Sequence, residues 1–106
     1  MTTTGSVGIN SNMRAELLLS ERHQLRPDAF AELRVWRLPK PVRGSAHTYK
    51  YSLAYVVAGE CVLRYDNEPG KGDHKHRGGV EAAYRFTTPQ QLLADFWSDV
   101  DQWRPE

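Results

Sequence analysis

The sequence predicts an α+β fold: an antiparallel sheet of four to five strands, built from two hairpins and a short strand, with one C-terminal helix packed on a face. Apolar side chains recur at every second position over residues 49–57, which is typical of a strand with one buried face. Towards the C-terminus the apolar period changes to three or four residues, which is typical of an amphipathic helix. A chain of 106 residues can bury one core without disulfides, so we expect a single domain over residues 13–106.

The first hairpin is expected after a polar lead-in. Residues 1–12 are mostly Thr, Gly, Ser and Asn, which offer too little apolar surface to offset the entropy lost on ordering, so we expect them to be disordered. The segments RAELLLSERHQL and RPDAFAELRVWRLP then form a hairpin, because Pro27-Asp28 is a turn dipeptide and Leu33 and Val35 alternate with charged residues.

The second hairpin joins TYKYSLAYVV to CVLRYD through a turn at Ala58-Gly59-Glu60. Its tyrosine stripe, Tyr49, Tyr51 and Tyr55, has strand spacing and is expected to form core rather than a base-stacking surface. Cys61 alternates with Val62 and is expected to point inward as a small buried hydrophobe. A short strand is predicted further on, in EAAYRF.

The C-terminal helix carries start signals and an apolar stripe. Thr88 is a suitable N-cap, Pro89 suits the first helical position, and Gln91 occupies the capping-box position. Asp95 and Asp99 fall between the apolar positions and are expected on the solvent side. The stripe expected to face the sheet consists of Leu92, Leu93, Phe96, Trp97, Val100 and Trp103.

Composition excludes several classes of protein. Cys61 is the one cysteine, so no disulfide can form within the chain and a reducing compartment is expected. No apolar run approaches the roughly 20 residues of a membrane helix, and the N-terminus lacks the pattern of a signal peptide. We therefore expect a cytoplasmic protein with no membrane partner. The formal net charge of +1 argues neither for nor against nucleic acid binding, so an electrostatic site must be local.

The segment YDNEPGKGDHKHRGG, residues 65–79, concentrates the chemically active side chains and is predicted to be a loop. Its glycines permit sharp turns and close backbone approach. If residues 73–77 are extended, His74 and His76 project to one side, whereas Asp73, Lys75 and Arg77 project to the other. The plainest alternative is a solvated turn without chemistry.

Two imidazoles on one side can act as general acid and base, because an unperturbed imidazole titrates at about pH 6.5. We therefore predict His74 and His76 as catalytic groups, with Asp73 orienting an imidazole. Phosphate contacts are predicted for three cations of the same segment, Lys71, Lys75 and Arg77.

A divalent metal is the alternative to this metal-independent site. Asp66, Glu68, His74 and His76 would form a nitrogen and oxygen ligand set for a zinc-like or manganese-like ion. The neighbouring cations Lys75 and Arg77 argue against it, because they would repel the ion.

The segments AELLLSERHQL, AELRVWRLPKPVRGSAHTYKYSLAYV, RYDNEPGKGDHKH and YRFTTPQQLLADFWSDV together resemble the TumE-type family of toxin–antitoxin proteins over roughly residues 13–104. YDNE followed by GKGDH and a second histidine is the most specific feature of the resemblance. The resemblance implies a toxin encoded beside a helix-turn-helix antitoxin, with RNA as a plausible target.

Two functional hypotheses follow. In the first, the chain is a toxin that acts on RNA as a metal-independent endoribonuclease through the predicted catalytic and phosphate-binding residues. In the second, it is a non-catalytic protein-interaction module that uses the 65–79 segment, an exposed strand edge and Trp36 as an anchor. Whether the chain forms a homodimer is left open by the sequence.

Overall fold

The structure is a computed structural model that describes residues 14–105; the lead-in predicted over residues 1–12 lies outside the described residues. It confirms an α+β fold with one C-terminal helix packed on an antiparallel sheet, but the sheet has six strands, so the expectation of four to five was wrong. The strands follow one another in space in chain order, each pairing with the next. The elements are β1 (Glu16–Arg26), β2 (Ala29–Arg37), β3 (Tyr49–Val57), β4 (Glu60–Glu68), β5 (Gly72–Arg77), β6 (Val80–Ala83) and α1 (Pro89–Gln102).

The additional strand comes from the segment that the sequence predicted to be a loop. Residues 65–79 instead contain the end of β4, a short turn and the whole of β5. Glycine and charged residues are depleted in strands, so local preference favours a loop here. Pairing with β4 on one side and β6 on the other supplies the backbone hydrogen bonds that override this preference.

The sheet has one covered face and one uncovered face. The helix face is the face on which α1 packs, and the open face is the opposite one. Alternate residues of β2, β3 and β4 point to the helix face and are almost fully buried there together with Leu92 and Phe96 of the helix. The strand residues of this core are Ala29, Ala31, Leu33, Val35, Tyr51, Leu53, Tyr55, Leu63 and Tyr65.

The helix begins where the sequence predicts. Thr88 is the N-cap, and its hydroxyl oxygen accepts a hydrogen bond of 3.0 Å from the Gln91 backbone N–H. Leu93, Trp97, Val100 and Trp103 pack around the buried helix residues, so the predicted apolar stripe does face the sheet. No helix of the described chain is long and apolar enough to cross a membrane.

The two helix carboxylates expected in solvent instead bind tyrosines of the sheet. The Tyr84 hydroxyl donates to Asp95 over 2.6 Å, and the Tyr65 hydroxyl donates to Asp99. Asp99 also lies 3.5 Å from the Lys75 ammonium. Both aspartates flank the apolar stripe, so their short side chains reach the edge of the buried tyrosines rather than open water.

The expectation of a buried Cys61 was wrong, because the thiol is exposed. The register between β3 and β4 shifts between Tyr55 and Val56, which pair with Leu63 and Cys61 respectively. This bulge inserts Val62 as an extra residue and breaks the strict alternation on which the expectation rested.

The helix supplies the first test of this packing. Replacing Phe96 with Ala should lower the free energy of unfolding by about 3–5 kcal/mol, because it removes a fully buried ring from the core. The exposed Asp101 is the matched control, and its change to Ala should cost less than about 0.5 kcal/mol. Equal chemical denaturation midpoints for the two variants would contradict the packing.

The buried tyrosines predict loss of stability in alkali. Burial, and then the hydrogen bond to an aspartate, raise the pKa of Tyr51, Tyr65 and Tyr84 above the ordinary value of 10.0. Their stabilising contribution is complete below pH 10 and is lost as the pH rises further, because only the unfolded chain then ionises them. These tyrosines should therefore ionise over the same pH range in which the protein unfolds. Absorbance at the tyrosinate band measures the ionisation, and circular dichroism measures the unfolding. Tyr65→Phe should remove one tyrosine from that coupled step.

Candidate functional site

The pairing of β4 with β5 creates the candidate site. In this antiparallel register Asp66 lies directly opposite His74, and Arg64 lies directly opposite His76. Opposite residues share a face and successive residues alternate, so these four side chains are on the open face. The two histidines therefore project to one side of the strand, in agreement with the expectation for an extended segment.

Three potential metal ligands converge at this point of the open face. One ligand atom from each of Asp66, His74 and His76 lies within 4.8 Å of the others. A fourth group arrives from β6, because the hairpin turn at residues 78–79 places Glu81 directly opposite His76. The Glu81 carboxylate lies 3.5 Å from His74 Nε2 and 3.6 Å from His76 Nε2. We call these four residues the open-face cluster.

His74 is held in a defined orientation. Its Nδ1 lies 2.9 Å from the Gly72 carbonyl oxygen, which can only accept, so Nδ1 carries the hydrogen. Nε2 is then directed to Asp66, whose Oδ1 is 2.8 Å away. The two atoms are close enough for an ion pair but are not aligned as a hydrogen bond, and both are buried without a hydrogen-bond partner. Their side chains are only 5% and 9% exposed.

A contact between two glycines fixes the carbonyl that orients His74. Gly72 has a φ of +75°, and a Cβ added to it would lie 2.6 Å from the Gly44 carbonyl oxygen. A Cβ on Gly44 would in turn lie 2.9 Å from the Gly72 nitrogen. The 38–48 connection can therefore approach the start of β5 only because neither residue has a side chain.

The outer part of the cluster is open to solvent. His76 and Glu81 are 35% and 41% exposed at their side chains, and the Lys71 ammonium lies 3.3 Å from the Glu81 carboxylate. The hydrogen bond from Lys71 is the largest influence on Glu81 and holds the pKa of its carboxyl below the ordinary value. A depression of about 340 Å³ beside the cluster is lined by Cys61, Arg64, Asp66, Glu68, His76 and Gly78.

Asp73, predicted to orient an imidazole of this pair, lies on the helix face, opposite to the pair. Its Oδ1 accepts a hydrogen bond of 2.9 Å from the Tyr51 hydroxyl and lies 2.9 Å from His47 Nε2. The Ser45 hydroxyl lies 3.3 Å from the same oxygen. Asp73 therefore ties the 38–48 connection to the sheet, and the position beside His74 belongs to Asp66.

The three predicted phosphate-binding cations are divided between the faces. Lys71 lies at the open-face cluster, whereas Lys75 and Arg77 project to the helix face, where Lys75 approaches Asp99 and the Tyr65 ring. Glu68, a predicted metal ligand, lies at the rim of the depression rather than within the cluster. Arg64 and Glu81 were not predicted as site residues. A signal for Glu81 exists in the sequence, because a two-residue Gly-Gly turn between His76 and Glu81 makes them cross-strand partners.

The fold and the cluster together define a small α+β protein with a histidine and carboxylate centre on the uncovered face of its sheet. A family model described as Toxin TumE matches residues 7–104, which is nearly the whole chain. The chain therefore belongs to the TumE toxin family, which gives it a toxin role and implies an antitoxin as partner. Comparisons with curated proteins and with solved structures find no significant match.

The glycine contact supplies a test of how the cluster is built. Gly72→Ala should lower the free energy of unfolding by at least about 1 kcal/mol, because the new Cβ meets a backbone oxygen and the positive φ disfavours alanine. Gly79→Ala is the control, since a Cβ there meets nothing within 4 Å, and it should change stability by less than about 0.5 kcal/mol. Urea denaturation measures both, and a Gly72→Ala protein as stable as Gly79→Ala would contradict the contact.

Proposed function

We propose that this toxin is an endoribonuclease and that the open-face cluster is its catalytic centre. The observation that carries the proposal is the convergence of Asp66, His74 and His76, with two buried polar atoms that have no hydrogen-bond partner. Buried polar groups are normally paired, and clusters that leave such groups unpaired are typical of functional sites. The chain belongs to a toxin family, and cleavage of RNA at the cluster would be one way for a toxin to stop growth.

The reaction requires groups for proton transfer and for the charge that builds on phosphate. The attacking oxygen loses a proton and forms a bond to phosphorus, while the bond from phosphorus to the departing oxygen breaks and that oxygen takes up a proton. Glu81 and His76 are the members of the cluster that an RNA strand can reach, and both carry groups that can accept or donate a proton. Lys71 and Arg64 flank the cluster on the same face and can contact phosphate oxygens.

The difference in exposure between His74 and His76 helps to decide whether the proposed reaction uses a metal ion. A metal-independent mechanism with two histidines requires both rings to touch the substrate, yet His74 is 5% exposed where His76 is 35% exposed. Only one of the two imidazoles is presented to RNA. This arrangement favours the metal-dependent form of the reaction over the metal-independent form predicted from the sequence.

The positions of Lys75 and Arg77 limit their role in binding RNA. Both side chains lie on the helix face. An RNA strand bound over the cluster therefore cannot contact them and Lys71 together unless the RNA crosses the edge of the sheet. We therefore assign phosphate contacts at the centre to Lys71 and Arg64, and give Lys75 a role in holding the helix through Asp99.

A second candidate function is that of a non-catalytic binding module, and the outer edge of β1 favours it. Within residues 14–105 no strand pairs with this edge, which is eleven residues long and carries the exposed side chains Leu17, Leu18 and Leu25. Exposed strand edges accept a strand from a partner. The antitoxin is the first partner to test on this edge; its helix-turn-helix type, the cytoplasmic location of the toxin and homodimer formation remain predictions.

The proposal predicts loss of toxicity when the cluster is changed. Asp66→Asn and His76→Gln should each reduce cleavage of RNA by the purified toxin by about 100-fold or more, since each removes a group from the reacting centre. Expression of either variant without antitoxin should also permit growth. The measurements are the growth curve after induction and gel analysis of RNA incubated with the isolated protein.

His23→Gln is the matched control for both variants. His23 lies 2.8 Å from the Glu21 carboxylate and packs against Trp97, so it is a histidine beside a carboxylate on the other face of the sheet. This control should keep full toxicity and cleavage. Full growth arrest by folded Asp66→Asn and His76→Gln proteins would overturn the assignment of the centre, and absence of cleavage by the unmodified toxin, together with tight antitoxin binding, would favour the second candidate.

A further inference from the structure

We infer that Asp66, His74, His76 and Glu81 bind one divalent transition-metal ion of the zinc and manganese class. The inference deepens the proposed function, because it names the cofactor of the same site. It rests on the spacing of the ligand atoms, the orientation of His74, the burial of a carboxylate that no lysine or arginine contacts within residues 14–105, and the distribution of the neighbouring cations.

The distances within the cluster match those between ligands of one ion. Ligand atoms at about 2.1 Å from an ion are about 3.0 Å apart at a right angle and about 3.4 Å apart at a tetrahedral angle. The separation of His74 Nε2 from Asp66 Oδ1 is 2.8 Å, and those from Glu81 to the two histidines are 3.5 and 3.6 Å. Ligand atoms of Asp66, His74 and His76 lie within 4.8 Å of one another, and movement of the two most exposed side chains, His76 and Glu81, would bring all four groups around one ion.

His74 is prepared for this role by its other nitrogen. The Gly72 carbonyl takes the hydrogen of Nδ1, so a neutral ring directs the lone pair of Nε2 into the cluster. A backbone carbonyl that accepts the second N–H is a recurrent feature of histidines that bind metals, because it fixes the tautomer and the plane of the ring. In the neutral ring this lone pair faces another acceptor, Asp66 Oδ1, at 2.8 Å; neither atom has a hydrogen-bond partner, and a metal cation would satisfy both.

The charge on Asp66 also calls for a cation. Within residues 14–105 no lysine or arginine lies at ion-pair distance from this carboxylate, whose side chain is 9% exposed. His74 Nε2, 2.8 Å away, neutralises this carboxylate only if the ring is protonated, and burying a carboxylate beside a neutral ring is costly. Glu81 adds a second negative charge, which Lys71 contacts, so Asp66 is the carboxylate of the cluster that no lysine or arginine contacts within residues 14–105.

The neighbouring cations do not prevent binding. Lys75 and Arg77, whose charges the sequence predicts to repel an ion, alternate with the histidines and so project to the opposite face. Lys71 contacts Glu81 Oε2, the oxygen that also faces the two histidines, and a carboxylate oxygen has lone pairs enough to accept from a lysine while it binds an ion. Two nitrogen and two oxygen donors suit zinc or manganese, whereas Mg²⁺ and Ca²⁺ prefer sites made of oxygen alone.

The test is direct titration of the purified toxin, isolated from its antitoxin and treated with chelator, with Zn²⁺, Mn²⁺, Co²⁺ and Mg²⁺ in separate calorimetric experiments. We expect one ion per chain for the first three and no measurable binding of Mg²⁺. Asp66→Asn and His76→Gln should each weaken binding by about 100-fold or more, because they remove direct ligands and even indirect ones cost 10- to 100-fold. The His23→Gln control, which alters the histidine and carboxylate pair on the other face, should bind as the unmodified protein does.

A spectroscopic measurement separates the cluster from the exposed thiol that lines the same depression. Co²⁺ bound to the cluster should show ligand-field bands without the charge-transfer band of a thiolate ligand, and Cys61→Ser should leave the spectrum unchanged. Absence of binding, binding unaffected by Asp66→Asn and His76→Gln, or a thiolate band would each overturn the inference.

Metal binding by the cluster and nuclease activity of the toxin can fail independently, and the experiments distinguish the two failures. Cleavage of RNA that persists in chelator and depends on the cluster would uphold the nuclease and reject the ion. Specific binding of Zn²⁺ or Mn²⁺ without any cleavage would uphold the ion and reject the nuclease.

Discussion

The structure depends on one register, in which β4 and β5 pair so that Asp66 faces His74. Because side chains alternate along a strand, this register sends Tyr65, Asn67 and Asp73 to the helix face while it gathers the histidines on the open face; a shift by one residue would exchange the two sets. Three sets of contacts hold the register in place: the contact between Gly44 and Gly72, the contacts of Asp73 with Ser45 and His47 of the 38–48 connection, and the hydrogen bonds of the Asn67 side chain with the backbone of β3.

The two faces of the sheet differ in whether their buried polar groups have hydrogen-bond partners. On the helix face each buried hydroxyl and carboxylate has a partner, as in the pairs formed by Tyr51 with Asp73 and by Tyr65 with Asp99. On the open face, Asp66 Oδ1 and His74 Nε2 are buried without hydrogen bonds, although buried polar atoms left unpaired cost stability. The chain thus places its unsatisfied groups at one location and compensates for them with the apolar core beneath the helix. This is the pattern expected where a site is organised in advance for a substrate or an ion.

Sequence patterns predicted the elements that local physics determines. The alternation over β3 and the cap at Thr88 gave the central strand and the helix, because burial on one face and capping act within a few residues. The strand β5 was missed, since its glycines and charges disfavour a strand and only pairing with two neighbours stabilises it. The same limit applies to the site. His74 and His76 could be recognised by residue type, but the choice of Asp66 over Asp73 as the nearby carboxylate depends on cross-strand register, and the exposure of Cys61 depends on a bulge.

A sheet covered on one side only has a consequence for how tolerance to mutation is distributed along the chain. If the open-face cluster is the reacting centre, odd and even positions of β4 and β5 are subject to different selection. Substitutions at Tyr65 or Asp73 would then alter how much folded protein a cell contains, whereas substitutions at Asp66 or His76 would alter what each folded molecule does. A library of all single substitutions, scored separately for abundance and for toxicity, would show two interleaved stripes of sensitivity with a period of two residues.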